Sequence, residues 1–401
     1  MTTGTSEPLW TRDFVLATIV NLSASTVFYL LMTTLARYAS EEFGAGDSLA
    51  GLAASMFIVG AIFARLLGGN LIELVGRRRM LVAAQVVFLV ASISYLPTTS
   101  LPLLLIERFV HGLAFGITST ATITIAQSLI PPLRRGEGTG YFTLSNTVAT
   151  ALGPFLGLTL IDVFGYQGLF WGAVGVSTVG ITVALVLRVP PVHIASEDLA
   201  RMRRFRPRDL LSAEVLPIAV FMGVIATAYA GIITFLDSYA SSAGLSAGAA
   251  AFFLVYAGVL FVSRLFVGRI QDRRGDNVVV YPAILSLALG LAVLSFATTD
   301  AMVVVAGALV GLGFGTIISS CQAIAVGLTG PGRLGVAVSS FYFMVDVGTG
   351  FGPAGLGALV SAVGYSDMYL VLAFVVLASS GLYFLVHGRR APRSSAGRRP
   401  A

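Results

Sequence analysis

Twelve strongly apolar stretches follow one another along the 401 residues of the chain, and no other feature narrows its fold so far. They cover roughly 14–36, 49–71, 80–97, 102–129, 139–161, 169–187, 215–237, 249–268, 278–298, 302–328, 335–361 and 368–386. A helix needs about 20 such residues to cross the hydrocarbon core of a bilayer. The runs are continuous rather than alternating, which predicts helices and not barrel strands. Lipid offers no water to backbone groups, so a spanning segment must satisfy them within itself. With 56% hydrophobic and only 11% charged residues, the chain has too little polar surface to face water on all sides. The expected fold class is an all-α membrane protein of twelve transmembrane helices.

All 25 basic residues are arginine, and their positions predict an orientation. Arg12, Arg77 to Arg79, Arg134, Arg135, Arg188, the 201–208 group, Arg269, Arg273, Arg274, Arg333 and the 389–399 tail place 21 on one side. Arg37 stands alone on the other, and Arg65, Arg108 and Arg264 fall inside runs. The basic side is expected to be cytoplasmic, with both termini inside. A net charge of +6 suits nucleic acid, but these arginines lie between apolar runs and form no basic face, so no nucleic-acid partner is expected. The polar start MTTGTSEPLWTRD lacks a charged n-region and a small-residue cleavage site, so no cleaved leader is expected. Cys321 is the only cysteine, which excludes a disulfide framework and a cysteine-rich metal site. No metal and no cofactor are expected.

The longest polar stretch, 188–213, holds six arginines against Glu197, Asp198 and Asp209. It reads as a cytoplasmic linker lying on anionic headgroups. Ser196 is positioned to cap a short helix there, and His193 reads as a solvated loop residue. The expected domains are 1–187, the linker 188–213, a second half 214–387 and a basic tail 388–401.

The two halves repeat each other at a constant offset of 199 residues. Arg65 maps to Arg264, Gly69 to Gly268, Glu73 to Asp272 and Gly76 to Gly275. Gly112, Phe115 and Gly116 map to Gly311, Phe314 and Gly315. Pro132, Arg134 and Gly136 map to Pro331, Arg333 and Gly335, and Gly153-Pro154 maps to Gly352-Pro353. Gly165-Tyr166 maps to Gly364-Tyr365. An offset that spans six helices predicts two parallel six-helix bundles related by an axis along the membrane normal.

The loop GNLIELVGRRR, Gly69 to Arg79, and its copy GRIQDRRGD, Gly268 to Asp276, resemble the signature loop of the major facilitator superfamily. The resemblance covers roughly residues 13–387 and implies two pseudo-symmetric six-helix bundles. It also implies a cytoplasmic gate built on Gly69, Glu73, Gly76, Arg77, Gly268, Asp272, Arg273 and Gly275. In that family the loop acid caps the cytoplasmic end of a helix from the opposite half when the inner gate is closed. ERFVHGLAFG, Glu107 to Gly116, resembles the arginine motif of proton-coupled members, with Arg108 as the arginine. ATALGPFLGL, Ala149 to Leu158, resembles in part the Gly-Pro motif of the antiporter branch. Gly153, Pro154 and Gly157 match, while Ala149 and Leu158 stand where glycine is common. GTGFGPAGLG, with Gly352 and Pro353, repeats that motif in the second half, where close packing alone also accounts for it. Runs such as IPPLRRGEGTGYF and SSFYFMVDVGTGFGP are similar to bacterial efflux permeases of the staphylopine-exporter-like and arabinose-efflux-like group.

Polar groups inside the runs are the candidates for coupling or substrate binding. Asp346 lies near the middle of the eleventh run, where its repeat partner is Thr147, so the fold does not require an acid there. An ionised carboxylate at that depth is costly and marks a functional site or a protonated acid bonded to a neighbouring helix. Arg108 carries a buried cation or snorkels outward, and His111 shares its face three residues on. His111 either titrates near physiological pH or serves as a hydrogen-bond donor between helices. Asn21, Tyr141, Asn146, Tyr229, Asp237 and Gln322 either line a cavity or bridge helices. The resulting expectation is a monomeric, proton-coupled exporter of a small amphipathic or polar compound in a bacterial inner membrane. Its partners are the substrate, protons and the bilayer. Proton-coupled uptake of a metabolite is the alternative, and a non-transporting receptor the remote one. No enzyme is expected, since there is no metal-binding histidine pair, nucleophile elbow or catalytic acid pair.

Overall fold

The computed structural model describes residues 8–190 and 210–389. His193, the Ser196 cap and the tail beyond Arg389 lie outside the described residues. Those residues form helices α1 Arg12–Met32, α2 Leu35–Phe43, α3 Asp47–Val75, α4 Arg77–Ser94, α5 Leu101–Leu129 and α6 Arg135–Val186. The second half continues with α7 Leu216–Ala243, α8 Ser246–Arg264, α9 Val267–Arg274, α10 Asn277–Ser295, α11 Asp300–Gly327 and α12 Leu334–Tyr383. No strand occurs among the described residues.

Nine helices among the described residues are long and apolar enough to cross a membrane. Two of them, α6 and α12, are each two spans joined at one residue, Gly165 at φ 67° and Gly364 at φ 84°. The sequence places separate runs on either side of these glycines. Helical hydrogen bonding nonetheless continues up to each break, so no loop intervenes. A left-handed residue costs an L amino acid roughly 1–2 kcal/mol, and glycine avoids that cost. The remaining span is α4, whose first turn holds Arg77, Arg78 and Arg79.

Two runs end earlier than hydropathy suggests. The first run, 14–36, stops at Met32 and resumes as α2. Thr34 Oγ1 donates back to Leu30 O at 2.9 Å, a contact that bends helices at their ends. The eighth run, 249–268, ends at Arg264, and α9 follows as a short polar helix that hydropathy cannot distinguish from a loop.

The described residues divide into two compact units. One takes in 1–131, 145–212 and 329–340; the other takes in 132–144, 213–328 and 341–401. Each unit therefore includes a short segment from the other half of the sequence. In the first unit α5 packs on α3 and α4; in the second α11 packs on α8 and α10. Glycines permit these close crossings. A side chain at Gly112 would collide with the Phe57 backbone, and one at Gly311 with the carbonyl of Tyr256. Gly112→Ala is expected to destabilise the protein by about 1–3 kcal/mol, read as a lower Tm of purified protein. An unchanged Tm would contradict this contact.

Candidate functional site

The two signature loops make matched contacts, one in each unit. In the first unit α3 ends at Gly76, and Glu73 lies on its last turn. Glu73 Oε1 accepts the Gly335 N–H at 2.9 Å, at the start of α12. Arg77 holds the same carboxylate through Nε at 3.0 Å and Nη2 at 2.8 Å, and also donates to Pro331 O. This pair is dry, with side-chain exposures of 3% and 1%. A side chain at Gly69 would press on Ser339 and the Gly335–Val336 backbone.

In the second unit Asp272, on α9, receives Gly136 N–H at 2.7 Å and Glu137 N–H at 2.9 Å, in the first turn of α6. Gly268 packs against the Gly136 carbonyl. Both loop acids thus accept backbone N–H groups at a helix N-terminus, where negative charge is favoured. Burial pushes the Asp272 carboxyl up, opposed by the N–H groups of Glu137 and Gly136.

Beyond that shared contact the loops differ. The repeat partner of Arg77 is Asp276, which accepts Gln271 Nε2 at 2.9 Å and lies 2.8 Å from His387 Nε2. Glu137 supplies the ion pairs instead, to Arg134 and Arg269, each at 2.7 Å. Arg269 is half exposed, at 51%. Tyr141 sits over this cluster, its ring 5.9 Å from the Arg269 guanidinium and its hydroxyl 3.5 Å from Leu265 O. Arg273 is exposed. Sequence reasoning passed over Glu137 and Arg269. The available signal was an acid beside Gly136 in a basic loop, with Val336 as its apolar repeat partner.

Arg108 and His111 lie together, fully buried within the first unit. Arg108 Nε donates to Ala53 O at 3.0 Å, and its guanidinium lies 4.6 Å over the Phe57 ring. His111 Nδ1 is 3.1 Å from Tyr95 Oη, and Nε2 is 3.4 Å from Ser92 Oγ. Ser92 in turn meets Ser177 at 2.9 Å. Glu107 points elsewhere and accepts Thr98 Oγ1 at 2.6 Å. Asn21 and Asn146 are brought together: Asn21 Nδ2 donates to Asn146 Oδ1 at 2.9 Å and to Ser145 Oγ at 2.8 Å.

In the second unit Gln322 is fully buried and accepts the Tyr342 hydroxyl at 2.8 Å. Tyr229 stacks on Phe314 with ring centroids 3.8 Å apart. Asp237 is exposed near the end of α7, and Asp346 is half-buried. Asp346 follows Leu334, the first residue of α12, by twelve positions, about 18 Å along the axis.

The Gly-Pro segments serve close helix packing. A side chain at Gly153 would meet Tyr29 and the Leu30 backbone, and one at Gly157 would meet Leu30 O, all on α1. Gly352 packs on Thr227 of α7, the equivalent crossing in the second unit. Pro154 and Pro353 lie inside α6 and α12.

The family profile of the Major Facilitator Superfamily matches residues 17–300, more than half of the chain. An uncharacterised MFS-type transporter of Mycobacterium tuberculosis is 28% identical over 253 residues, covering 61% of this chain. The match spans only 34% of that longer protein. An uncharacterised MFS-type transporter of Burkholderia mallei is 23% identical over 379 residues, covering 92% of this chain and 90% of the relative. Among solved structures, the human organic anion transporter TETRAN superposes with a TM-score of 0.76 at 16% identity. That alignment covers 92% of this chain and 98% of TETRAN, a likeness of fold. With its profile match, its helical fold and its repeated loops, this multi-pass membrane protein belongs to the major facilitator superfamily.

Proposed function

We propose that the chain is a secondary transporter that exports a small amphipathic or polar compound in exchange for protons. It acts as a monomer in a bacterial inner membrane. The observation that carries this reading is the pair of loop acids on helix N-termini, Glu73 on Gly335 and Asp272 on Gly136 and Glu137. A contact made of a carboxylate and a few backbone N–H groups is strong enough to hold one arrangement. It is weak enough for substrate binding to release it, as alternating access requires. Coupling falls to Asp346 in the second unit, and the buried Arg108–His111 network stabilises the first.

The test is transport by the full chain in inverted vesicles, with and without a pH gradient, screened against metabolites and drugs. Accumulation that depends on the gradient is expected. Rates indifferent to the gradient would remove proton coupling, and accumulation only in right-side-out vesicles would reverse the direction. The termini and the 188–213 linker are assigned to the cytoplasm from the 21-to-1 arginine asymmetry. A reporter active only in the periplasm and fused to the C-terminus should stay silent; activity would refute the orientation.

A further inference from the structure

The repeat separates residues that the fold needs from residues that only one half uses. Arg65 and Arg264 occupy equivalent positions, yet their surroundings differ. Arg65 Nη1 donates to Thr120 Oγ1 at 3.2 Å. The equivalent hydroxyl in the second half is Ser319; both donate to their own helix, Thr120 to Gly116 O at 2.7 Å and Ser319 to Gly315 O at 3.1 Å, and Thr120 also accepts the Arg65 N–H. Arg264 is 6% exposed, and its Nε and Nη1 have no hydrogen-bond partner in the protein.

The positions around it diverge in one direction. Tyr256, Gln322 and Tyr342 stand where the first half has Phe57, Ile123 and Thr143. Arg264 lies within electrostatic range of the Tyr256 and Tyr342 hydroxyls. Tyr342 donates to Gln322 Oε1, while the fully buried Gln322 Nε2 has no partner. The unmet groups of Arg264 and Gln322 are all donors: two guanidinium nitrogens and an amide. Unmet buried donors cost free energy, and donors alone select an acceptor, most strongly a charged one. Beside them, Tyr229 stacks between Phe314 at 3.8 Å and Tyr256 at 5.8 Å, giving an aromatic wall.

We propose that Arg264 and Gln322, with Tyr342 between α11 and α12, form a binding site for a carboxylate group of the transported compound. The Tyr256–Tyr229–Phe314 wall takes the compound's flat apolar part. The site lies wholly within the second unit. It rests on the transport reading above and narrows the substrate class to organic anions carrying a carboxylate.

The test is thermal melting of the purified full chain with benzoate, benzamide or benzylamine, three probes that share a ring and differ in charge. Benzoate is expected to raise Tm with concentration, and the neutral and cationic probes are not. In Arg264→Gln the apparent affinity for benzoate should fall roughly tenfold or more. Arg264→Lys should retain part of it. Gln322→Leu, which removes the amide donor without touching a charge, should weaken benzoate binding and keeps the test decisive where Arg264→Gln fails to fold. Benzoate shifts unchanged in Arg264→Gln and Gln322→Leu would overturn the proposal. So would equal shifts with benzamide, or no shift with benzoate. The assay uses no gradient, so its failure leaves the vesicle result standing. An Arg264-dependent benzoate shift in a protein that transports nothing would keep the site and remove the transport reading.

Discussion

Proton-driven export by Asp346→Asn vesicles is expected to fall to the level of vesicles without the protein, while downhill exchange of substrate persists. Asparagine keeps the shape of aspartate and one acceptor oxygen, and removes its charge and its titrating proton. A carboxylate some 18 Å along a membrane helix meets few structural needs, which makes it the first candidate for a coupling group. Its repeat partner, Thr147, has no such proton, so the bundle architecture does not depend on an acid here. Loss of both driven transport and exchange would assign Asp346 to substrate binding instead. Wild-type rates with unchanged pH dependence would make it a structural residue and move the search to His111.

The second large effect is expected at the loop acids, and it should be unequal. Glu73→Ala removes the partner of a buried arginine as well as the acceptor for Gly335 N–H. Stranding a buried charge in this way costs about 3–5 kcal/mol. Asp272→Ala frees two backbone N–H groups but leaves Glu137 paired with Arg134 and the exposed Arg269. That variant loses its helix cap and the charge facing the partly buried Arg135, but strands no arginine as dry as Arg77. Transport should therefore fall further in Glu73→Ala than in Asp272→Ala, and the double variant should be inactive though inserted. Glu73→Gln, which keeps an acceptor for Gly335, should be intermediate. Full transport in the double variant would reduce both loops to topology anchors.

The spans were legible because lipid imposes a length and an apolar composition that a single sequence displays. The repeat was legible because the glycines and acids that recur at one offset are those that close crossings and helix caps demand. What hydropathy could not register were the short polar helices α2 and α9 and the loop-free joints at Gly165 and Gly364. Those depend on local hydrogen bonding rather than on transfer to lipid. The loop acids could be named from the sequence, but their second partners could not. Arg77 pairs within its own loop, whereas Arg269 reaches Glu137, 132 residues away. Asn21 and Asn146 were singled out separately, and only the folded chain shows that they bond to each other. Arg264 looked like a topology residue because its counterpart Arg65 occupies the same place in the repeat. Both neighbouring hydroxyls donate to their own backbone, and the difference lies in whether the hydroxyl oxygen also accepts from the guanidinium.

The single-residue joints at Gly165 and Gly364 also decide where the protein can be gripped. An epitope or fluorophore loop inserted at either glycine would have to open two helical arms that hold their hydrogen bonds up to that residue. Tyr95 to Ser100, between α4 and α5, and Phe296 to Thr299, between α10 and α11, are longer connections free of that constraint. In the orientation proposed from the arginine distribution, both face outward. Binders and reporters aimed at the outside belong on those two stretches, and libraries that sample insertions evenly should recover functional fusions there and none at the two glycines.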